Sequence, residues 1–397
     1  MAPLNAKFIP FHRPSVGLEE LTAVQQVLES RWLTTGPVSQ RFEHEFAEYV
    51  GAKHALALNS GTAALQLAAN LVGLQPGDEV LVPTYTFTAT AEIITYLGGR
   101  PVLCDSVEGG FNIDAMDAAR RITRKTKAII PVHIAGEPCD MAAIHQLAQD
   151  AGMPVIEDAA HALPTTYKGK RIGTHSALIA FSFYATKNIT TGEGGMLVTD
   201  DDGYAERARR LRLHGINGEA WKRYSREGSW YYEVADAGFK MNMPDILAAL
   251  GSAQLSKCDK FFQRRQEIAE RYCERFAQIE EVELPPACEP GDQHSWHLFI
   301  LRLRRNANVV ERNDLVEQLK TRGIGTSVHF IPLHLHPFYA QTYGYRPGDF
   351  PHAEDAYSRA ISLPIYPDLS DADVERVIEA VEQVVTARRC STMAGRG

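Results

Sequence analysis

No stretch of the 397 residues approaches the run of about 20 apolar residues that a membrane-spanning helix needs. The opening MAPLNAKFIPFHRPS lacks a basic start followed by an apolar segment, so no secretory signal is expected. Six cysteines are present, Cys104, Cys139, Cys258, Cys273, Cys288 and Cys390, none in C-x-x-C spacing. Neither a zinc site nor a disulfide framework is therefore expected, and free thiols in a reducing cytoplasm are the simplest reading. No block of single-sign charge occurs and the net charge is −8, which argues against nucleic acid or an anionic membrane as partner. No G-x-G-x-x-G follows the first strand-like segment, HALAL, and that speaks against a nicotinamide dehydrogenase. There is no internal repeat and no low-complexity segment.

What remains is an ordinary globular composition, 45% apolar and 23% charged, long enough for a large core and two or three domains. Residues 18–30 place Leu18, Leu21, Val24 and Leu28 on one helical face, and residues 39–50 do the same with Phe42, Phe46 and Tyr49. Short apolar runs then alternate with helical stretches: HALALN, DEVLVPTYTF, PVLCDS, KAIIPVHI and PVIEDA read as strands, each separated from the next by a helix. ALIAFSFYA and GGMLVTD read as further strands. Nearly continuous apolar runs belong to strands buried on both faces, and their alternation with helices predicts an α/β fold with a mostly parallel sheet. From about 245 the pattern changes to a long helical connection, then an alternating strand, two helices and a further strand. We place a major domain at 1–255, a C-terminal α+β domain at 256–388 and a disordered tail at 389–397.

In open α/β sheets ligands bind beyond the carboxyl ends of the strands, and several polar groups fall there. Ser60, Gly61 and Thr62 follow the strand HALAL and open a helix. Asp158 ends PVIED. Ser182 closes the strand that leads to Lys187, and the glycine-rich turn TTGEGG follows. Each has a plain structural reading: Ser60 as a helix cap, Asp158 as a cap or an arginine partner, Lys187 as a solvated loop lysine. Together they form a phosphate cradle, a carboxylate and a lysine at strand ends, the set that pyridoxal phosphate chemistry uses. Backbone N–H groups at a helix N-terminus take the phosphate. A carboxylate keeps the pyridine nitrogen protonated. A lysine whose burial lowers its pKa supplies a free amine. The small residues after Lys187 are expected to leave room for the ring.

The motifs LNSGTAAL, GDEVLVPTYTFTATA, VIEDAAHA, FSFYATKNITTGEGGM and MNMPDILAALGSAQL resemble those of the DegT/DnrJ/EryC1/StrS family of sugar aminotransferases, across about residues 8–385. The resemblance implies a type I, aspartate-aminotransferase-like fold and pyridoxal 5'-phosphate as cofactor. It implies that Lys187 carries the cofactor and moves the proton, that Asp158 pairs with the ring nitrogen, that Ser60, Gly61, Thr62 and Ser182 bind phosphate, and that Phe87 stacks on the ring. His161 stands where the family often has glutamine, near the ring hydroxyl. Lys240 and Asn242 stand where many relatives have a pair reaching across a dimer, and one of them is expected at the partner subunit's phosphate. On the substrate side the resemblance points to Trp32, Tyr184, Asn188 and His329, with Lys222 and Arg223 as candidates for a nucleotide diphosphate. His334 and His336 lack carboxylates in ligand spacing, and no metal is expected. The implied reaction moves an amino group from glutamate to a nucleotide-linked keto-sugar, a 4-keto sugar, in a cytoplasmic homodimer. A dehydratase of the same family would carry histidine at position 187. A catalytically silent binding protein would have lost the site residues present here.

Overall fold

The computed structural model describes residues 7–216, 231–305 and 310–394, with side chains to 387. Seven strands carry the site: β1 (His54–Leu58), β2 (Glu79–Pro83), β3 (Arg100–Cys104), β4 (Thr126–Ile129), β5 (Ile156–Asp158), β6 (Leu178–Ser182) and β7 (Gly195–Thr199). Their lateral order is β1-β7-β6-β5, continued through parallel bridges Ile129–Val155 and Val132–Asp158 to β4-β2-β3. β7 runs antiparallel to both its neighbours; the other ladders are parallel. The mostly parallel sheet inferred from sequence is what forms, with one reversed strand that apolar periodicity cannot report. Burial is nearly complete along these strands, as expected of a sheet covered on both faces.

Helix α1 (Leu18–Ser30) departs from the amphipathic reading. Leu18, Leu21 and Leu28 are 77%, 63% and 53% exposed, and the buried residues are Glu20 and Val27. Glu20 explains the orientation: its carboxylate accepts from the Gly17 N–H at 2.7 Å and from Gln254 Nε2 at 2.7 Å, and pairs with Lys257. These partners satisfy the buried charge. Helix α2 (Pro37–Val50) follows the sequence, with Phe42 and Phe46 fully buried against Phe181 and Phe183 of the β6 region.

Later in the chain, β8 (Val282–Glu283), β9 (Phe299–Leu303) and β10 (Ala360–Leu363) form an antiparallel sheet. A core with Tyr272, Phe276, Leu315 and Val381 packs on it, and Ile9 joins from the N-terminal segment. The alternation read in HSWHLFILRLRR does not make β9 half-buried; all five of its residues are buried, because Arg302 is enclosed as well.

Candidate active site

Three strands meet at one rung. Leu58 of β1 and Ser182 of β6 both pair with Gly195 of β7, so the turn after Leu58 and the end of β6 approach each other across a residue without a side chain. A Cβ on Gly195 would stand 2.3 Å from the Ser60 carbonyl oxygen, and one on Gly61 would stand 2.8 Å from Ser182 Cβ. Gly195 is thus required for strand spacing, and it is not among the residues that line the cavity. That corrects the expectation that the glycine run as a whole makes room for a ring.

Ser60 caps helix α3 (Gly61–Leu71), its Oγ accepting from the Ala63 N–H at 3.0 Å. The start of this helix, whose first N–H groups have no partner within the helix, lines one cavity of about 570 Å³ together with Ser60 and Ser182. Asp158 is buried on the same cavity. Its Oδ2 accepts from Thr90 Oγ1 at 2.8 Å and its Oδ1 from the Ala160 N–H at 3.1 Å, while Thr86 and Thr90 join their hydroxyls at 2.8 Å. Burial raises the carboxyl pKa above its ordinary value, against those two hydrogen bonds and the Lys187 charge.

Lys187 lies in the turn after β6, and its backbone N–H donates to the Tyr184 carbonyl at 2.9 Å. Its side chain lines the cavity and has no hydrogen-bond or ion-pair partner among the described residues. Burial pushes the amine down to about 8, and the Asp158 carboxylate pulls the other way. Phe87 is 58% exposed and tilts at 6.0 Å from Phe330, so it is a cavity wall and not core packing. His161 is buried, stacked at 5.7 Å on Phe330, and its Nδ1 accepts the Ala135 N–H at 3.2 Å. A ring nitrogen that accepts an N–H is bare, so His161 carries its proton on Nε2. Burial, with the Lys187 charge, holds it well below the usual histidine range.

Of the substrate-side candidates, Tyr184 and His329 line the cavity, His329 stacking on Phe11 at 5.2 Å with its Nδ1 2.9 Å from Ser362 Oγ. Asn188 does not. It is buried and its side chain is fully engaged with Leu163, Ser295 and His297, which removes it from direct substrate contact. Trp32 also stands outside the cavity lining, its Nε1 donating to the Thr35 carbonyl at 3.3 Å. Lys240 Nζ donates to Asn242 Oδ1 at 2.6 Å, and Asn242 Nδ2 to Thr35 Oγ1 at 2.6 Å. Asn242 bridges to Leu58, so this pair sits beside the Ser60 turn but outside the cavity of its own chain. Lys222 and Arg223 lie outside the described residues. His334 is buried on Thr84 and Glu354, and no cluster of metal-ligating side chains occurs among the described residues.

The sequence reading missed His12, Thr90, His297 and Phe330, all on the cavity. Thr90 could have been found, since it opens the helix after a strand in TYTFTATA. The other three come from segments remote in sequence, and only the fold brings them to the lysine.

The residues fit pyridoxal phosphate on three observations: a cradle that a Cβ at Gly61 would fill, a partnerless amine, and a buried carboxylate beside it. Comparison with known proteins agrees. The model of the DegT/DnrJ/EryC1/StrS aminotransferase family matches residues 14–382. The Bacillus subtilis spore coat polysaccharide biosynthesis protein SpsC is 50% identical over 379 residues, 95% of this chain and 97% of SpsC. Spr1654 of Streptococcus pneumoniae, a proposed sugar aminotransferase solved in its PMP form, superposes with a TM-score of 0.90 at 34% identity, over 96% of this chain and 100% of that one. Helicobacter pylori PseC, an aminotransferase involved in the biosynthesis of pseudoaminic acid, superposes at 0.89 with 30% identity, over 96% and 100%.

Proposed function

This chain belongs to the DegT/DnrJ/EryC1/StrS aminotransferase family and is a pyridoxal-phosphate-dependent aminotransferase, and from that premise we propose that it moves an amino group from glutamate to a nucleotide-linked keto-sugar, a 4-keto sugar. The observation that carries the reading is the lining of the cavity. Lys187 is its one lysine or arginine among the described residues, and His12, His161, His297 and His329 are all held neutral by burial. Neutral imidazoles and the hydroxyl of Tyr184, beyond the phosphate cradle, suit an uncharged, hydroxyl-rich ring. Next to it runs a groove of about 700 Å³ that shares Thr86, Phe87 and Phe330 with the cavity and is walled by the exposed rings of Tyr96 and Phe338, which gives a nucleobase aromatic faces to stack on. SpsC and PseC, both tied by name to sugar biosynthesis, support the sugar class.

The bound cofactor supplies an aldehyde that condenses with amines and a ring that takes up the electron pair left on the donor's α-carbon. Lys187 holds the cofactor in the resting enzyme and, once released, moves the proton at its Nζ. An amine near 8 is free in useful fraction at neutral pH. Asp158, held by Thr90 and the Ala160 N–H, offers its carboxylate to the ring nitrogen. The Ser60–Thr62 helix start and Ser182 would hold the phosphate, Phe87 would cover one ring face, and the Nε2–H of His161 is the donor for the ring hydroxyl.

The exposed leucines of α1 and the position of Lys240 and Asn242 support a homodimer in which one of those two residues reaches the partner's phosphate. Light scattering should give a dimer, and Leu21→Glu should shift it towards monomer. A monomeric wild type with full activity would remove the shared-site reading. A screen of nucleotide keto-sugars with glutamate, read by product mass, tests the reaction itself; no aminated product from any of them would overturn the substrate assignment.

A further inference from the structure

Asn188 follows Lys187 directly, and its hydrogen bonds dictate the state of a second imidazole on the cavity. Asn188 Nδ2 donates to the Leu163 carbonyl at 2.7 Å and to the Ser295 carbonyl at 3.0 Å. Carbonyl oxygens only accept, so the amide NH2 must face them and Oδ1 must face His297, whose Nδ1 lies 3.1 Å away. An amide oxygen also only accepts. Nδ1 of His297 therefore carries the proton, and in a neutral ring Nε2 is a bare lone pair. His297 lines the cavity, and its Nε2 has no partner among the described residues.

His161 is in the opposite state, with Nδ1 bare and Nε2 protonated. The two rings lie 4.3 Å apart at 36°, so adjacent imidazoles on one wall present one donor and one acceptor. The backbone of His297 is fixed as firmly as its ring. Arg265 Nη1 donates to the carbonyls of Trp296, His297 and Ile365 at 3.1, 3.3 and 2.8 Å, and Trp296 sits in the left-handed region with φ 52°. Burial, together with His161 and the positive groups Lys187 and Arg265, disfavours a second proton and keeps the His297 ring neutral.

We propose that Asn188 and His297 form a recognition pair, Asn188 locking His297 as the Nδ1–H tautomer so that Nε2 accepts the hydroxyl beside the carbonyl of the keto-sugar. The pair rests on the substrate class proposed above. Asn188 is a positioning residue, and His297 is the one that touches substrate. The arrangement selects an acceptor that carries a hydroxyl donor next to its ketone over one that lacks it, because a deoxygenated ring leaves the lone pair unmet.

Two measurements test it. In cofactor-loaded protein labelled with ¹⁵N-histidine, the resonances lost in His297→Phe identify the residue. They should show protonated Nδ1 and bare Nε2; protonated Nε2 overturns the proposal whatever the substrate. In kinetics with a keto-sugar that the wild type aminates, His297→Phe should raise KM about tenfold with a smaller effect on kcat, and His297→Gln, whose amide oxygen can accept, should recover part of the loss. The analogue deoxygenated beside the carbonyl should bind the wild type about tenfold more weakly and be indifferent to His297→Phe. Equal KM values for wild type and His297→Phe, or a deoxy analogue as sensitive to the substitution as the parent sugar, would overturn it. A wild type that aminates no keto-sugar while His297 is Nδ1-protonated would instead place the failure in the proposed function.

Discussion

Gly195→Ala puts a methyl group where the structure has backbone. The added carbon would lie 2.3 Å from the Ser60 carbonyl oxygen, 2.4 Å from the Ser60 carbonyl carbon and 2.6 Å from the Gly61 nitrogen. None of these is the end of a flexible side chain, so relief needs the β1 turn and β7 to separate by roughly 1 Å, and a displacement of that size in groups that position a substrate can cost on the order of 100-fold in rate. Overpacking of this kind costs about 1–3 kcal/mol in stability. The moved atoms belong to the cradle at the start of α3, so cofactor affinity should fall with stability. Gly203→Ala is the control. It lies in the first turn of the helix Asp202–Leu211 and meets only the capping Asp201 Oδ1 at 3.1 Å, a side-chain atom, so its effect should stay within about 1 kcal/mol and leave cofactor affinity unchanged. Titration of cofactor into the apoprotein, followed by absorbance, and thermal melts of both variants give the comparison. A Gly195→Ala protein with wild-type cofactor affinity and melting temperature would refute the claim that these strands are spaced by that glycine.

Asp158→Asn removes the carboxylate that holds the Lys187 amine up, so in the cofactor-free protein the amine should titrate below about 8, read by the pH dependence of its reductive methylation. The same variant should lose activity by about 100-fold or more, through loss of charge at the ring nitrogen. Lys187→Met in cofactor-free protein should be more stable than wild type below pH 8, by about 2 kcal/mol once partial exposure of the amine is allowed for. The sign follows from proton counting. The folded amine titrates near 8 and the unfolded one near 10.4, so between those values the unfolded chain binds the extra proton and wild type gains on the variant as pH rises. Urea unfolding of both proteins at pH 7 and pH 10 checks it, and a pH-independent difference would contradict the burial of that amine.

The fold was legible where apolar runs and turn residues alternate. What periodicity does not encode is direction, so the reversal of β7 between β1 and β6 came only with the structure. That the Ser60 turn, Asp158 and Lys187 lie on one cavity was legible because a helix cap, a strand-end carboxylate and a strand-end lysine each have a local signature. Two errors share a cause. The leucine stripe of α1 faces outward and Asn188 faces inward because polar groups with enough partners are cheap to bury: Glu20 has Gly17, Gln254 and Lys257, and Asn188 has two carbonyls and an imidazole. Those partners lie far off in sequence, which is why pattern reading misplaced both. His12 and His297 reach the cavity from segments distant in the chain, and nothing local to them marks the site, whereas Phe330 stands next to the candidate His329.

The chemistry turns on the Lys187 amine as the group that carries the cofactor. Borohydride reduction of the cofactor-loaded enzyme, followed by proteolysis and mass mapping, should place the reduced cofactor on the peptide that contains Lys187, and Lys187→Ala should yield no labelled peptide. Label on another lysine, or none on Lys187, would contradict the account.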